Sequence, residues 1–249
     1  MRFDSGYQEY KRKKGYQVIS SGDSTLDELL KGGFQRDLIY LLYGDKKKTS
    51  KILWTTSVIA QKSLLNEGLG EDVKIAYIDA NTYFNPYDIS KYALRHRLSP
   101  KRVLENIIIA RAFTWEQMVE ILENRLSQLE NIKMVLVSGI TSLFQNYEKQ
   151  TFEDLLYAIN GIKKTLMKSN PYLILTAPLN KYSEWKPEGG KIIAHFGSVL
   201  VLIRDQERLT EYNLVQHPYL AETVQKKFKP REKKLETPTR NATLDCWIE

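Results

Sequence analysis

Residues Gly44–Lys51 read GDKKKTSK. They follow an apolar strand and open a helix, where a phosphate-binding loop of pattern G-x-x-x-x-G-K-[ST] would stand. Such a loop needs glycines, because its backbone adopts positive φ and wraps closely around phosphate oxygens. It also needs a lysine against phosphate charge and a Ser or Thr for magnesium. Here Thr49 stands at the second glycine, Ser50 at the lysine and Lys51 at the magnesium-binding hydroxyl. Lys51 lies one residue past the working lysine, about 100° around a helix, so it is no simple substitute. Lys46, Lys47 and Lys48 keep the segment basic. Two alternatives stay open on these residues: a weak anion site and a basic surface turn.

Other chemistry is sparse. His96, His195 and His217 are scattered and form no metal-ligand spacing. Ser138, Thr141 and Ser142 lack a sequence partner that would make a nucleophile. The one cysteine, Cys246, excludes an internal disulfide and a cysteine-built metal site. Arg95, Arg97, Lys101 and Arg102 fall in a helix–turn–helix stretch and read as a solvated face.

The elements that must position these residues are legible from periodicity. Five short apolar runs, Asp37–Tyr43, Val73–Asp79, Ile107–Ala110, Ile132–Val137 and Tyr172–Thr176, predict strands buried on both faces. Helical patterns alternate with them at Asp23–Leu30, Ser50–Asn66, Pro86–Arg97, Trp115–Glu130 and Phe152–Met167. This predicts one doubly wound α/β domain with a mostly parallel sheet and helices on both faces. Ala177–Gly190 reads as a mobile loop, and Ile192–Arg204, Tyr212–Val215 and Glu222–Phe228 as further strands. The expected organisation is a basic extension over 1–15, a core over 16–228 and a flexible basic tail over 229–249.

Charge sharpens the list of partners. The chain has 249 residues and a formal charge of +7, with 42% hydrophobic residues. Residues 1–14 and 226–249 carry about +3 each, so the long middle is near neutral. Basic ends on a neutral core suggest a polyanion, most often nucleic acid. No apolar run reaches the roughly 20 residues of a membrane helix, and the start has no apolar signal region. The expected setting is therefore cytoplasmic, beside the nucleoid.

Six segments in series resemble the core ATPase domain of the RadA/RecA-type recombinases, archaeal RadA paralogs in particular. They are Ile19–Gly33 (ISSGDSTLDELLKGG), Ala76–Pro86 (AYIDANTYFNP), Asn106–Phe113 (NIIIARAF), Met134–Phe144 (MVLVSGITSLF), Glu188–His195 (EGGKIIAH) and His217–Leu220 (HPYL). The resemblance covers roughly residues 16–228 and implies a RecA-like P-loop ATPase core.

The departures from that family carry the functional expectation. The family's magnesium-supporting Asp falls at Ser138, and its water-activating Glu falls at Asn81, whose amide takes no proton at ordinary pH. Its sensor Gln aligns with Pro178. Gly44, Lys48, Thr49, Ser50, Lys51, Asn81 and Ser138 thus make a degenerate nucleotide site. Phosphoryl transfer needs positioning, magnesium and charge neutralisation together, so neither ATP hydrolysis nor a cofactor is expected. Only Met1–Gly15 precede the core, too short for the family's helical DNA-binding domain, and Phe3–Gly6 match its F-x-x-A segment poorly.

The family's two DNA loops fall at Gln145–Thr151 and Asn180–Lys191. The first holds Lys149. The second, NKYSEWKPEGGK, sets Lys181, Tyr182, Trp185, Lys186 and Lys191 in alternation, so rings can stack on bases while lysines meet phosphates. Together with Lys11, Arg12, Lys13 and Lys14 these are the expected single-stranded DNA contacts. The resemblance implies a recombination modulator that binds single-stranded DNA, the active recombinase, or both. Two alternatives remain: a pseudo-ATPase scaffold paired with an active paralog, and an active NTPase using Lys48 or Lys51.

Overall fold

The computed structural model describes Ser5 and residues 18–65, 73–143 and 149–229. Lys11–Lys14, most of the first DNA loop, the side chain of Lys149 and the tail beyond Lys229 lie outside the described residues.

Period-two alternation in the strands sorts side chains onto two faces. In β1 (Ile39–Gly44), Tyr40 and Leu42 enter one core while Leu41 and Tyr43 enter the other. In β2 (Lys74–Asp79), Ile75 and Tyr77 part from Ala76 and Ile78 in the same way. The first core is covered by α1 (Ser24–Leu29), α2 (Lys46–Leu65), α3 (Pro86–Arg95) and α4 (Pro100–Glu105). The second is covered by α5 (Trp115–Glu120), α6 (Lys149–Ser169) and α7 (Gly190–Phe196). This is the doubly wound arrangement expected from the alternation.

The remaining strands are β3 (Ile107–Arg111), β4 (Ile132–Ser138), β5 (Tyr172–Pro178), β6 (Val199–Asp205), β7 (Leu209–Gln216) and β8 (Thr223–Phe228). Their order is β3-β2-β4-β5-β1-β6-β7-β8. The first six run parallel, and β7 and β8 return antiparallel. Asp79 registers with Ser138, and Gly44 with Pro178. The carboxyl ends of β1, β2, β4 and β5 therefore meet on one edge, where ligands bind in open α/β sheets.

Four sequence expectations need correction. The helix expected to open at Ser50 begins at Lys46, because the Asp45 carboxylate accepts from the Lys48 amide at 2.7 Å and caps it. The run Ile192–Arg204 is a helix followed by a strand, broken at Gly197–Ser198; apolar content alone could not separate them. The helix from Trp115 widens after Glu120 into a π turn, Ile121–Arg125, whose backbone lies against Gly161 of α6. The segment after β5 is no slack loop. A bridge joins Leu179 to Pro187, and the Asn180 amide donates to the Lys186 carbonyl at 2.9 Å.

Candidate functional site

Only Asp45 separates the end of β1 from the start of α2. Gly44 holds φ at +120°, and a Cβ there would stand 2.1 Å from the Ile203 carbonyl oxygen. The next amide, of Asp45, donates to that same carbonyl at 3.0 Å. The glycine thus serves a close approach between β1 and β6. From Lys46 onward the backbone is helical, so the Lys46–Ser50 amides do not form a loop around a central anion. Thr49 is buried and returns its hydroxyl to the Asp45 carbonyl at 2.9 Å.

Ser50 is fully buried one helical residue further on, opposite Ser138 at the end of β4. Their hydroxyl oxygens are 3.1 Å apart. The Asn81 amide donates to Ser138 Oγ at 3.3 Å and reaches Ser50 Oγ at 3.5 Å. Ser142, which follows β4, donates to Asn81 Oδ1 at 2.5 Å. Three residues separated widely in sequence, Ser50, Asn81 and Ser138, are thus brought together, as the alignment implied. They form one neutral network whose members satisfy one another. The carboxylate closest in sequence, Asp79, is fully buried and accepts from the Asn81 and Phe84 amides, shaping the turn after β2. Among the described residues no group of three His, Cys, Asp or Glu could hold a metal.

Lys48 is half-buried near two carboxylates. Burial lowers its affinity for a proton, the Asp23 and Asp205 carboxylates partly restore it, and the net result is below the ordinary lysine range. Asp23 caps α1 through the Thr25 amide and accepts from Tyr212 at 2.8 Å and Lys227 at 2.9 Å. Burial alone would raise the Asp23 carboxyl, but these two hydrogen bonds and the Lys227 charge hold it below the usual range. Lys229 pairs with Asp205 at 2.9 Å. Lys48 thus lies within the field of this charged cluster, in which Asp23 ties β7 and β8 to α1. Lys51 is exposed.

In the second loop, Lys181, Tyr182 and Lys186 are exposed, Tyr182 by 86%. Lys191 is exposed in the first turn of α7. Trp185 is half exposed. Its ring lies 4.2 Å from the Arg204 guanidinium carbon, and its carbonyl accepts from Tyr43 at 2.8 Å. Arg204 also donates to the Glu184 carbonyl at 2.7 Å. One face of the indole is thus already occupied. Sequence reasoning did not single out Arg204, because nothing in the spacing places a β6 residue against a loop twenty residues earlier.

Comparison with known proteins matches residues 11–152 to the sequence model of the Rad51 family. A DNA repair and recombination protein RadA from Cenarchaeum symbiosum is 33% identical over 147 residues, 58% of this chain and 36% of that protein. A meiotic recombination protein DMC1 homolog from Glycine max is 26% identical over 215 residues, 78% of this chain and 60% of that one. A DNA repair protein RAD51 homolog from Solanum lycopersicum is 25% identical over 240 residues, 88% and 69% respectively. The chain spans between about a third and three fifths of the first two relatives.

Proposed function

The chain belongs to the Rad51 family of RecA-type recombinases, and from that premise we propose that it is a non-catalytic paralog that modulates homologous recombination and repair. It would do so by binding single-stranded DNA, an active RadA-type recombinase, or both. One observation carries this reading: the family fold persists while Ser50, Asn81 and Ser138 close on each other as a neutral network. A magnesium nucleotide fits this arrangement poorly. It would need anionic or phosphate-bridging ligands where two hydroxyls and an amide already bond, and a loop where α2 already runs.

ATP turnover and oligonucleotide binding measured on one purified sample test the proposal. The expected result is no magnesium-dependent hydrolysis, with single-strand binding that weakens steeply as salt rises. Turnover abolished by Lys48→Ala with Lys51→Ala would instead establish an active NTPase with an altered loop. Expected DNA contacts are Lys181, Tyr182, Trp185, Lys186 and Lys191, with Lys149 and Lys11–Lys14 from the loop and the basic start.

A second reading keeps the inactivity and removes DNA. The protein would be a pseudo-ATPase scaffold for an active paralog. The Arg204 guanidinium on the Trp185 ring favours it, since a covered face is lost for base stacking. Recovery of the recombinase after nuclease treatment, with no oligonucleotide binding by the isolated chain, is its signature.

A further inference from the structure

Two helices frame a groove at the carboxyl edge of the sheet, beside the closed Ser50–Asn81–Ser138 network. On α2, Lys47 and Lys51 stand four residues apart. On α3, Tyr87, Lys91 and Arg95 repeat at the same interval. Residues four apart share one helix face, so each set forms a stripe. Both stripes line a cavity of about 770 Å³, together with Tyr83 from the turn after β2. Trp54 and Tyr92, which meet edge to face with centroids 5.7 Å apart, join the two helices along it.

The lining has an uneven charge. Lys47, Lys51, Lys91 and Arg95 are all exposed, and among the described residues none of the four makes an ion pair. One carboxylate, Asp88, joins the wall, and it accepts from the Asn85 side chain at 2.9 Å. Like charges four apart on a helix repel, so both stripes oppose folding slightly unless an anion lies across them. Tyr87 is 78% exposed and Tyr83 42%. Such rings offer stacking faces rather than core packing.

Cations alternating with open aromatic rings along a groove match the chemistry of a single-stranded polynucleotide, whose phosphates and bases alternate likewise. We propose that this groove is a second binding site for single-stranded DNA, separate from the 180–191 loop. It rests on the reading above that single-stranded DNA is a partner of this chain. The groove assigns a role to Arg95, which its sequence context alone marked as a solvated residue. Lys101, from the same basic stretch, instead lies 3.8 Å from Glu105 on the exposed side of α4.

Fluorescence anisotropy of a labelled oligo(dT) on the full chain, at several salt concentrations, tests the groove. Lys91→Glu with Arg95→Glu should weaken binding at least tenfold and make the salt dependence shallower by about 1.4 logarithmic units per decade. Tyr87→Ala should weaken it about tenfold with the salt slope unchanged. All three side chains are exposed, so thermal midpoints should not move. Lys181→Ala with Lys186→Ala reports on the loop separately. If the groove variants bind as the parent does while the loop variant fails, the groove is overturned and the earlier reading stands. If the parent itself binds no oligonucleotide, both fall. Displacement of the oligonucleotide by ATP or by polyglutamate as readily as by unlabelled oligo(dT), with Tyr87→Ala silent, would assign the groove to a mononucleotide or an acidic peptide and overturn it.

Discussion

Two glycine-bearing joints of this molecule can be set side by side. Gly33 closes the segment that follows α1, and Gly44 ends β1. Both hold positive φ, and a Cβ at either would press on a backbone carbonyl, Ile19 at 2.3 Å and Ile203 at 2.1 Å. Around Gly33 the family's pattern is kept along Ile19–Gly33. Around Gly44 it is lost at Thr49, Ser50 and Lys51. What survives at both joints is a glycine that lets two backbone segments approach closely. The residues that differ at the second are those to which the family resemblance gives phosphate and magnesium. We propose that different residues of this joint serve the fold and the nucleotide chemistry of the family.

The largest expected effect tests that separation directly. Gly44→Ala should cost about 4 kcal/mol, adding left-handed strain to a backbone collision. Urea denaturation should show Gly33→Ala costing a similar amount. Tolerance of Gly44→Ala would mean that the glycine is a relic of phosphate binding and not a need of the sheet. Next comes restoration of the lysine. Ser50→Lys buries an ammonium among neutral hydroxyls and should cost about 3 kcal/mol. It should give no ATP turnover, and appearance of turnover would show that one residue alone separates the two states.

A smaller effect is expected at the capped joint. Asp23→Ala removes the α1 cap and the Tyr212 and Lys227 bonds, a loss of about 2 kcal/mol. The sign with pH follows from the depressed carboxyl. Its contribution is complete above the ordinary aspartate range near about 3.9 and is lost as pH falls through the lower folded value. The parent's denaturation midpoint should therefore drop on acidification below about pH 4, and Asp23→Asn should drop less. An identical acid profile would remove Asp23 from this role. The smallest effect belongs to Ser50→Ala, about 1 kcal/mol or less, because Asn81 and Ser138 still bond each other. A much larger loss would mean that the hydroxyl network holds the α2 start in place.

Much of the fold was legible in the sequence. Strands β1, β2, β4 and β5 are apolar over most of their length because both faces are covered, and that pattern is visible in the residues themselves. Strand β3, expected to be buried likewise, is the edge strand and leaves Ile109 and Arg111 exposed. The join at Gly197–Ser198 was not, since an apolar run has the same composition as helix or strand until its neighbours are known. The helix start was misplaced for a related reason: Asp45 caps α2 through its side chain, and Asp next to Gly also reads as a turn. At the candidate site, the departures from the family's pattern at Thr49, Ser50, Lys51, Asn81 and Ser138 were legible from identity alone. Arg204 over Trp185 was not, because β6 and the 180–191 loop become neighbours only through sheet order.

By itself the sequence determined the alternation of strands and helices, the family's ordered segments and the identities Thr49, Ser50, Asn81 and Ser138 at the positions where the resemblance departs from the family's pattern. These follow from side-chain type and period, which are local properties. Only the tertiary structure decided that Ser50, Asn81 and Ser138 satisfy each other, that Lys48 comes within the field of Asp23 and Asp205, and that two lysine-bearing helix stripes share one groove. Each depends on contacts between residues far apart in the chain. Such contacts exist only once the carboxyl ends of β1, β2, β4 and β5 have been brought to one edge.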